Sequence, residues 1–485
     1  MLLFKNGAMR VRIFLMMCFL CSLSVLIGTS CNLDIPPEDE IAGDDAIDNV
    51  LTAREALHSA YAAYPLENVT FAVLAEDFFP TYLISRDASL ARLYRWDAEK
   101  IDLVSRDLWA GYYKTIVCIN VLLNSEKYIE QTTASDRQEW RKIKGEAYAL
   151  KAMAYFDLLN IYAGGYHPDN PGIILKDEVE LDYLPRSTAG ECVKEIHTLL
   201  SRAGELLSLF ASEEINYNKR ESNYLNYYSV LLLQAKTALY EKDYTTATGY
   251  CETILSQIGY GNTSISLSDY QNLWTDSKSL EKLFSFDTNS FILNQFIESK
   301  ENGDFIAVPS SFLYSENDIR RNVASFEFRM NANGSLEPVP RLLMGKYRTG
   351  IEDRTPRDIN RLRLPEAYFI LSECYAETGQ MAKAVSTLDA FLVQRNAELL
   401  TQDMDAASFK NRLFHEKQKE FHGEGLNYFE MKRLGKSLKR YSVDSETVRE
   451  VIPPTDYRWL FPIPQAELQN NGSVSQNRGW NDIQK

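Results

Sequence analysis

The sequence predicts a mainly α-helical protein whose helical scaffold is interrupted by one loop-rich region. Three observations support this prediction. Apolar residues recur at helical spacing in several long segments. Two pairs of such segments share the same arrangement around a short turn. In residues 259–360, apolar residues no longer recur at helical spacing. The 485-residue chain is long enough for about two or three domains' worth of core.

Single amphipathic helices are expected over 53–64, 109–129 and 188–207, where small and apolar residues recur at helical spacing. Thr188 is placed to cap the last of them. The segment 136–165 gives the strongest indication, because Ala and Leu fill it throughout. In that segment Asp136 is expected to be the cap, and the glycines at 164 and 165 are expected to end the helix.

Two helix pairs are predicted over 226–255 and 364–392, each with a short turn, "EKDY" in the first and "TGQM" in the second. Small residues let two helices approach closely, and this arrangement is typical of tetratricopeptide repeats. In each pair the small residues stand twelve positions apart: Ala235 and Ala247, then Ser372 and Ala384.

The region 259–360 is punctuated by Gly, Asn, Ser and Pro between short aromatic runs. It is expected to form irregular loops and a few strands, inserted between helical pairs as a binding surface. The tail beyond residue 445, with four prolines, is expected to be loop-like as well.

The charge balance excludes one class of function. The formal net charge is −15, whereas nucleic-acid binding needs a basic patch that neutralises phosphates. Two of the seven cysteines, Cys18 and Cys21, lie inside the apolar leader, and the last four are scattered singly, with no CxxC pair and no metal-ligand spacing. Beyond the leader and Cys31, they are expected to be buried thiols: Cys118, Cys192, Cys251 and Cys374.

The N-terminus reads as a secretory signal. A positively charged start (Lys5, Arg10 and Arg12) precedes an apolar stretch over 13–27, which is shorter than the roughly 20 residues of a membrane-spanning helix. "GTSC" then resembles the lipobox of bacterial lipoproteins, in which the cysteine is lipidated and becomes the first mature residue. Cys31 is therefore the predicted lipidation site.

Five sequence blocks together resemble the SusD/RagB family, in family order. They are "LDIPPEDEI", "KIKGEAYALKAMAYFDLLNIYAGG", "RLPEAYFILSECYAETG", "EKQKEFHGEGLNYFEMKRLG" and "FPIPQAELQNNGSVSQNRGW". The departures from the family pattern suggest a divergent member. They include Lys151 for Arg, Ala163 before the glycines, Asn427 for Arg, Glu430 for Asp and Trp480 for Tyr.

The resemblance implies a lipoprotein on the outer face of a Gram-negative outer membrane. Such a protein sits as a lid on a SusC-like TonB-dependent transporter and delivers a nutrient to it. It also implies a SusD-like fold, with tetratricopeptide-like pairs as scaffold. The expected division is a signal peptide (1–30, removed), a tether (31–50), an N-terminal helical part (51–258), the inserted ligand-facing region (259–360) and a C-terminal part (361–485).

No catalytic motif or cofactor site stands out, so we expect a binding protein and no enzyme. The chain has no HExxH, GxSxG or P-loop pattern. His415 and His422, with the glutamates at 416, 420 and 424, form the one arguable metal cluster. Capping and ion pairing explain these charges better, so no metal is expected.

Sugar binding depends on flat aromatic faces with polar groups around them, so aromatics in loops are the candidates. The segment 76–96 and the inserted region offer them, whereas Trp109 and Trp140 are expected in the helical core. The candidate ligand-binding residues are Tyr82, Arg86, Tyr94, Trp96, Trp274, Phe291 and Tyr314.

The sequence thus predicts a cell-surface lipoprotein that binds an oligosaccharide for uptake. A peptide-binding protein like RagB is the first alternative. A secreted hydrolase stays open because paired carboxylates come together only in space. A protein-binding tetratricopeptide scaffold stays open too, although such an array would not need the large insertion.

Overall fold

The computed structural model describes residues 46–481, with gaps at 67, 81–87, 180–182, 262, 276–277, 288–304, 308–313, 331–335, 345, 347–357, 402 and 443–446. The predicted signal peptide, Cys31 and most of the tether lie outside the described residues. None of the described helices combines the length and apolar character that crossing a membrane requires.

Helices dominate the described chain, as predicted. In the N-terminal part they are α1 (Val50–Ala63), α2 (Asn68–Leu74), α3 (Ala88–Tyr94), α4 (Ala98–Asn124), α5 (Ala134–Tyr162), α6 (Ala189–Leu207), α7 (Ala211–Glu214), α8 (Tyr227–Tyr240) and α9 (Tyr244–Ile258). The later helices are α10 (Leu267–Gln271), α11 (Arg321–Ala324), α12 (Leu364–Glu377), α13 (Met381–Gln394), α14 (Ala406–Glu420), α15 (Leu426–Arg433) and α16 (Gln465–Asn470).

Within the described ranges, short strands form four antiparallel two-stranded sheets. The strands are β1 (Phe78–Pro80), β2 (Lys282–Phe286), β3 (Phe305–Ala307), β4 (Ser325–Met330), β5 (Leu336–Met344), β6 (Ile359–Arg363), β7 (Leu438–Tyr441) and β8 (Val448–Ile452). The pairs are β1 with β3, β2 with β6, β4 with β5, and β7 with β8. The region 259–360 therefore contributes strands, as predicted, and the tail beyond 445 also contains β8 and α16.

Local capping explains where the long helices begin. The N-cap of α5 is Thr133, and Asp136 is its third helical residue; each side chain accepts the other's backbone N–H in a capping box. The prediction that Asp136 is the N-cap is therefore wrong, because the N-cap lies three residues earlier, at Thr133. The helix ends at Ala163, whose backbone is extended, one residue before the predicted glycines. Thr188 caps α6, as predicted.

Helix α4 starts eleven residues earlier than the sequence pattern suggests. Asp97 is its N-cap, and its carboxylate accepts the N–H of Lys100 at 3.0 Å. The charged residues of the first turns, such as Glu99, dilute the apolar pattern there. The helix itself ends at Asn124, and a 3₁₀ turn continues to Tyr128.

The two predicted helix pairs share one turn geometry. Lys242 and Gly379 both adopt a left-handed backbone, with φ of 65° and 78°. The residue after each donates to a carbonyl five positions back, at 2.8 Å in the first pair and 2.7 Å in the second. The four predicted small residues are fully buried, and the hydroxyl of Ser372 donates across its pair to the Ala384 carbonyl at 2.6 Å. The close approach of the paired helices is confirmed.

One continuous apolar core joins these elements. Helix α5 packs between α4 and α6, α1 lies on α4 and α5, and α9 contacts α12, so the two helix pairs stack on each other. Trp109 and Trp140 are buried, as predicted. The four cysteines expected as buried thiols are all free of disulfides. Three of them are buried, as predicted, whereas Cys118 is half-buried, so the prediction of burial is wrong for Cys118.

Candidate functional site

The seven predicted ligand-binding residues fall into three groups. Tyr82, Arg86 and Phe291 lie outside the described residues. Tyr94 and Trp96 lie together at the end of α3, and Trp274 and Tyr314 lie against a cluster of buried charges. The ligand-binding role of the seven stays a prediction, but the surroundings of the last four are well defined.

Tyr94 and Trp96 belong to the core. Trp96 is 0% exposed, and its indole N–H donates to the Leu74 carbonyl at 3.0 Å. Its ring lies edge to face with Trp459, with centroids 4.6 Å apart. The guanidinium of Arg440 lies 4.6 Å from the ring centre of Tyr94 and 5.9 Å from that of Trp96. In this structure both rings therefore support the fold and do not form an exposed surface.

Trp274 and Tyr314 are also buried. The ammonium of Lys346 lies 5.2 Å from the ring centre of Trp274. The hydroxyl of Tyr314 donates to the Lys419 carbonyl at 2.7 Å, and the guanidinium of Arg320 lies 5.4 Å from its ring. Large aromatic side chains dominate protein cores, and the sequence pattern alone does not separate a loop aromatic that is exposed from one that is buried.

The charges beside these rings form what we call the buried ion network. Its members come from segments far apart in the sequence, and each is less than 5% exposed: Glu281, Asp318, Arg320, Lys346, Arg363, Arg395, Glu416, Glu420 and Glu424. Buried charges are tolerated only when they are paired and hydrogen-bonded. The sequence interpretation, that the glutamates of "EKQKEFHGEG" pair with cations, is confirmed.

Glu420 is the centre of the network. Its carboxylate accepts from Arg363 Nη1 at 2.8 Å and from Arg395 Nη2 at 2.9 Å, and Arg320 Nη1 lies 3.7 Å away. Burial alone would favour the neutral acid. The guanidinium groups of Arg395 and Arg363 outweigh that effect and hold the pKa of Glu420 well below its usual value.

The network fastens the inserted region to the helical scaffold at both ends of the β4–β5 hairpin. Before the hairpin, Arg320 Nη2 donates to Glu416 Oε2 at 2.7 Å. After it, Lys346 Nζ donates to Glu424 Oε1 at 2.7 Å and to the Glu420 carbonyl at 2.6 Å. Sequence reasoning missed these two cations. The available signal was the row of carboxylates at 416, 420 and 424, spaced by four and needing partners.

A second anchor holds the start of the segment that leads to Tyr82. Asp77, directly before β1, accepts from the Gly423 N–H at 3.0 Å and from Asn427 Nδ2 at 2.7 Å. Burial raises the pKa of Asp77 to about 7, although both hydrogen bonds favour its ionised form. Gly423 and Gly425 have φ of 75° and 80°, which only glycine adopts without strain. The "GEG" turn thus positions β1.

A small cavity of about 120 Å³ lies between α5, α8, α12, α14 and α15. Aromatic side chains such as Phe156, Phe369 and Phe429 line it. The charges at its edge are paired, with Lys236 bound to Glu366. Pockets for drug-sized ligands usually measure about 300–1,000 Å³, so this cavity is too small for an oligosaccharide.

The described part of the chain holds no group of three or more His, Cys, Asp or Glu side chains arranged for a metal ion. His422 is buried, and its Nε2 lies 2.7 Å from the Asp77 carbonyl. Burial lowers the pKa of His422 to about 4, with the charge of Lys346 adding to the effect. His415 is exposed, so the two histidines do not share a site.

Two structures that resemble this chain come from Bacteroides vulgatus. One, described as a SusD superfamily protein, has a TM-score of 0.72 and 19% identity, covering 89% of this chain and 99% of its own. The other, described as a putative sugar binding protein, has a TM-score of 0.71 and 21% identity, covering 90% and 99%. At these identities the likeness shows a common fold. No curated protein sequence matches significantly.

Family models match both halves of the chain. A model described as "Starch-binding associating with outer membrane" matches residues 33–230. A second, described as "SusD family", matches residues 343–480. The two matches follow chain order and include all five sequence blocks singled out above. The chain belongs to the SusD/RagB family.

Proposed function

We propose that this protein is a lipid-anchored protein of the outer surface of the outer membrane, which binds an oligosaccharide and delivers it to a SusC-like TonB-dependent transporter. The observation that carries the proposal is the family match over 33–230, whose description joins starch binding to the outer membrane. The signal sequence and Cys31 supply the anchor, since several acyl chains together hold a protein firmly on a bilayer.

The described residues next to the proposed ligand contacts are held by buried ionic contacts. The buried ion network holds Arg320 and Lys346, on either side of the β4–β5 pair, against the helical scaffold, and the Asp77 anchor holds the start of β1. Anchoring of this kind lowers the conformational entropy that a ligand site loses on binding. Tyr82, Arg86 and Phe291 are the proposed ligand contacts, and Tyr94, Trp96, Trp274 and Tyr314 act from within the core. Delivery then requires the protein to move as a lid across its interface with the transporter.

Replacing Cys31 by alanine is expected to move the protein from the membrane fraction to the soluble fraction, because the acyl chains have no other attachment point. Cell fractionation followed by immunoblotting measures this. The matched control is Cys118→Ala, which removes a half-buried thiol of the folded part and leaves the protein membrane-bound. If the Cys31→Ala protein stays in the membrane fraction, the lipid anchor is wrong.

The full-length protein in detergent is expected to bind at least one neutral oligosaccharide by isothermal titration calorimetry, without releasing a shorter product. Tyr82→Ala should weaken that binding about tenfold, because a stacked aromatic face is lost. The matched control Tyr183→Ala removes a tyrosine that is 57% exposed in another loop.

Three other outcomes decide between the alternatives. Binding of peptides in place of sugars would favour the peptide-uptake function. Turnover of the sugar would indicate a hydrolase. Affinity for proteins alone, without a TonB-dependent transporter among those that co-purify from outer membranes, would favour a protein-binding scaffold. Each of these would replace the proposed function.

A further inference from the structure

A second cavity has Trp459 as one of its lining residues. We call it the C-terminal cleft. It measures about 680 Å³, within the usual size range of ligand sites, and is lined by the turn after α5, the end of α15 and the segments 454–460 and 478–479. None of the seven predicted ligand residues lines it, and the proposed function does not use it.

The cleft carries positive charge without matching acids. Lys432, Lys436 and Arg478 line it, and none of them forms a salt bridge with a described carboxylate. Asp456 is the acid among the described lining residues, and Arg458 already binds it through Nε at 2.9 Å and Nη2 at 2.7 Å. In a chain with a net charge of −15, this is a local reversal of sign that would attract an anion.

Lys432 is the innermost of the three cations. Its ammonium donates to the carbonyls of Asn160 and Ile161 in the last turn of α5, where the helix dipole favours a cation. Burial lowers the pKa of Lys432 to about 7. A carboxylate bound in the cleft would favour the protonated form of Lys432 and add an ionic partner to its two carbonyl acceptors.

One wall of the cleft is a fixed aromatic ring. Tyr457 is half-buried and lies edge to face with Trp480, with ring centres 5.1 Å apart. Gly479, with φ of 94°, passes so close that a Cβ at this position would lie 2.6 Å from Cγ of Tyr457. Because its neighbours hold the ring in place, Tyr457 can serve as a stacking platform with little entropy cost on binding.

We infer that the C-terminal cleft binds a carboxylate-bearing sugar, with the carboxylate at the cations and a sugar face on Tyr457. The cations alone would suit any small anion. The aromatic wall favours a ring with a flat apolar face over an extended acidic peptide, and the backbone of Gly164 and Gly165 lets a ligand approach closely.

The test is calorimetric titration of the full-length protein in detergent with trigalacturonate, maltotriose and triglutamate at low salt. We expect trigalacturonate to bind, and the double variant Lys436→Gln/Arg478→Gln to bind it at least about tenfold more weakly, because two charged partners are lost. Arg478 is exposed, and Lys436 is half-buried with its ammonium 5.0 Å from the Phe414 ring centre, so the melting temperature should fall only slightly and the variant should remain folded during the titration.

The matched control Arg137→Gln/Lys219→Gln removes the same charge from exposed positions. Arg137 lies about 37 Å along α5 from the cleft, at a rise of about 1.5 Å per residue. The inference is wrong if trigalacturonate does not bind, if both double variants lose affinity equally, or if maltotriose or triglutamate binds the cleft as well. Loss of trigalacturonate binding in Tyr82→Ala alone would place that sugar in the proposed ligand site and overturn the cleft inference, while leaving the proposed function intact.

Discussion

Replacing Glu420 by glutamine is expected to lower the free energy of unfolding by about 3–5 kcal/mol. Glutamine keeps the shape of the side chain but removes the negative charge that Arg363, Arg395 and Arg320 share. These guanidinium groups are all buried, so the lost partner cannot be replaced by water without opening the core. Calorimetric and denaturant unfolding of the purified protein measure the effect.

The matched control is Glu205→Gln on α6, where the carboxylate is exposed. Removing an exposed charge usually changes the free energy of unfolding by less than about 0.5 kcal/mol. If Glu420→Gln is as mild as this control, the arginines are stabilised by other partners and Glu420 is not the centre of the network. A loss of sugar affinity at temperatures where Glu420→Gln remains folded would show that the network also positions the ligand surface.

The helical scaffold was predictable because its determinants are local. The pairing of Ser372 with Ala384 follows from two small residues on facing helices and a turn that needs a left-handed residue. Thr188 and the apolar period of 188–207 lie within one segment of about twenty residues. The cap of α5 was missed by three residues, because Thr133 and Asp136 both have capping side chains and the structure uses them together.

The buried ion network could not be predicted in the same way, because its pairs are distant in sequence. Arg395 Nη1 donates to Glu281 Oε1 at 2.8 Å, and the two residues are 114 positions apart in the sequence. Lys346, which follows the β4–β5 hairpin, donates to Glu424, 78 positions further along the chain. A buried arginine and a solvated one look alike in a sequence. The carboxylates at 416, 420 and 424 indicated that partners exist, but not which of the 52 lysines and arginines supply them.

The burial of the aromatic candidates could not be predicted from the sequence either. Tyr94 and Tyr314 stand next to polar, loop-like sequence, which is why a ligand role was predicted. Both rings are nevertheless buried, and the guanidinium groups of Arg440 and Arg320 lie 4.6 and 5.4 Å from their ring centres. These contacts depend on chain segments that meet only after folding.

Replacing Trp96 by alanine is expected to lower the free energy of unfolding by about 3–5 kcal/mol, as is usual when a fully buried tryptophan is truncated. The ring fills space beside Trp459 and Tyr428, and its N–H binds the Leu74 carbonyl at 3.0 Å. Trp96 also has a left-handed backbone, with φ of 56°, where a non-glycine residue costs roughly 1–2 kcal/mol. Only strong packing of the ring can offset that cost.

Trp96→Phe retains most of the apolar contact and should destabilise the protein less than Trp96→Ala. Tyr183→Ala, at an exposed position, is the control for loss of an aromatic group and should change the unfolding free energy by less than about 0.5 kcal/mol. The comparison separates two roles for Trp96. If Trp96 is a core residue, Trp96→Ala lowers the free energy of unfolding, and sugar affinity falls only in proportion to the fraction of protein that is unfolded. A ligand contact would instead lose affinity in Trp96→Ala with the unfolding free energy unchanged, and that result would return Trp96 to the binding surface.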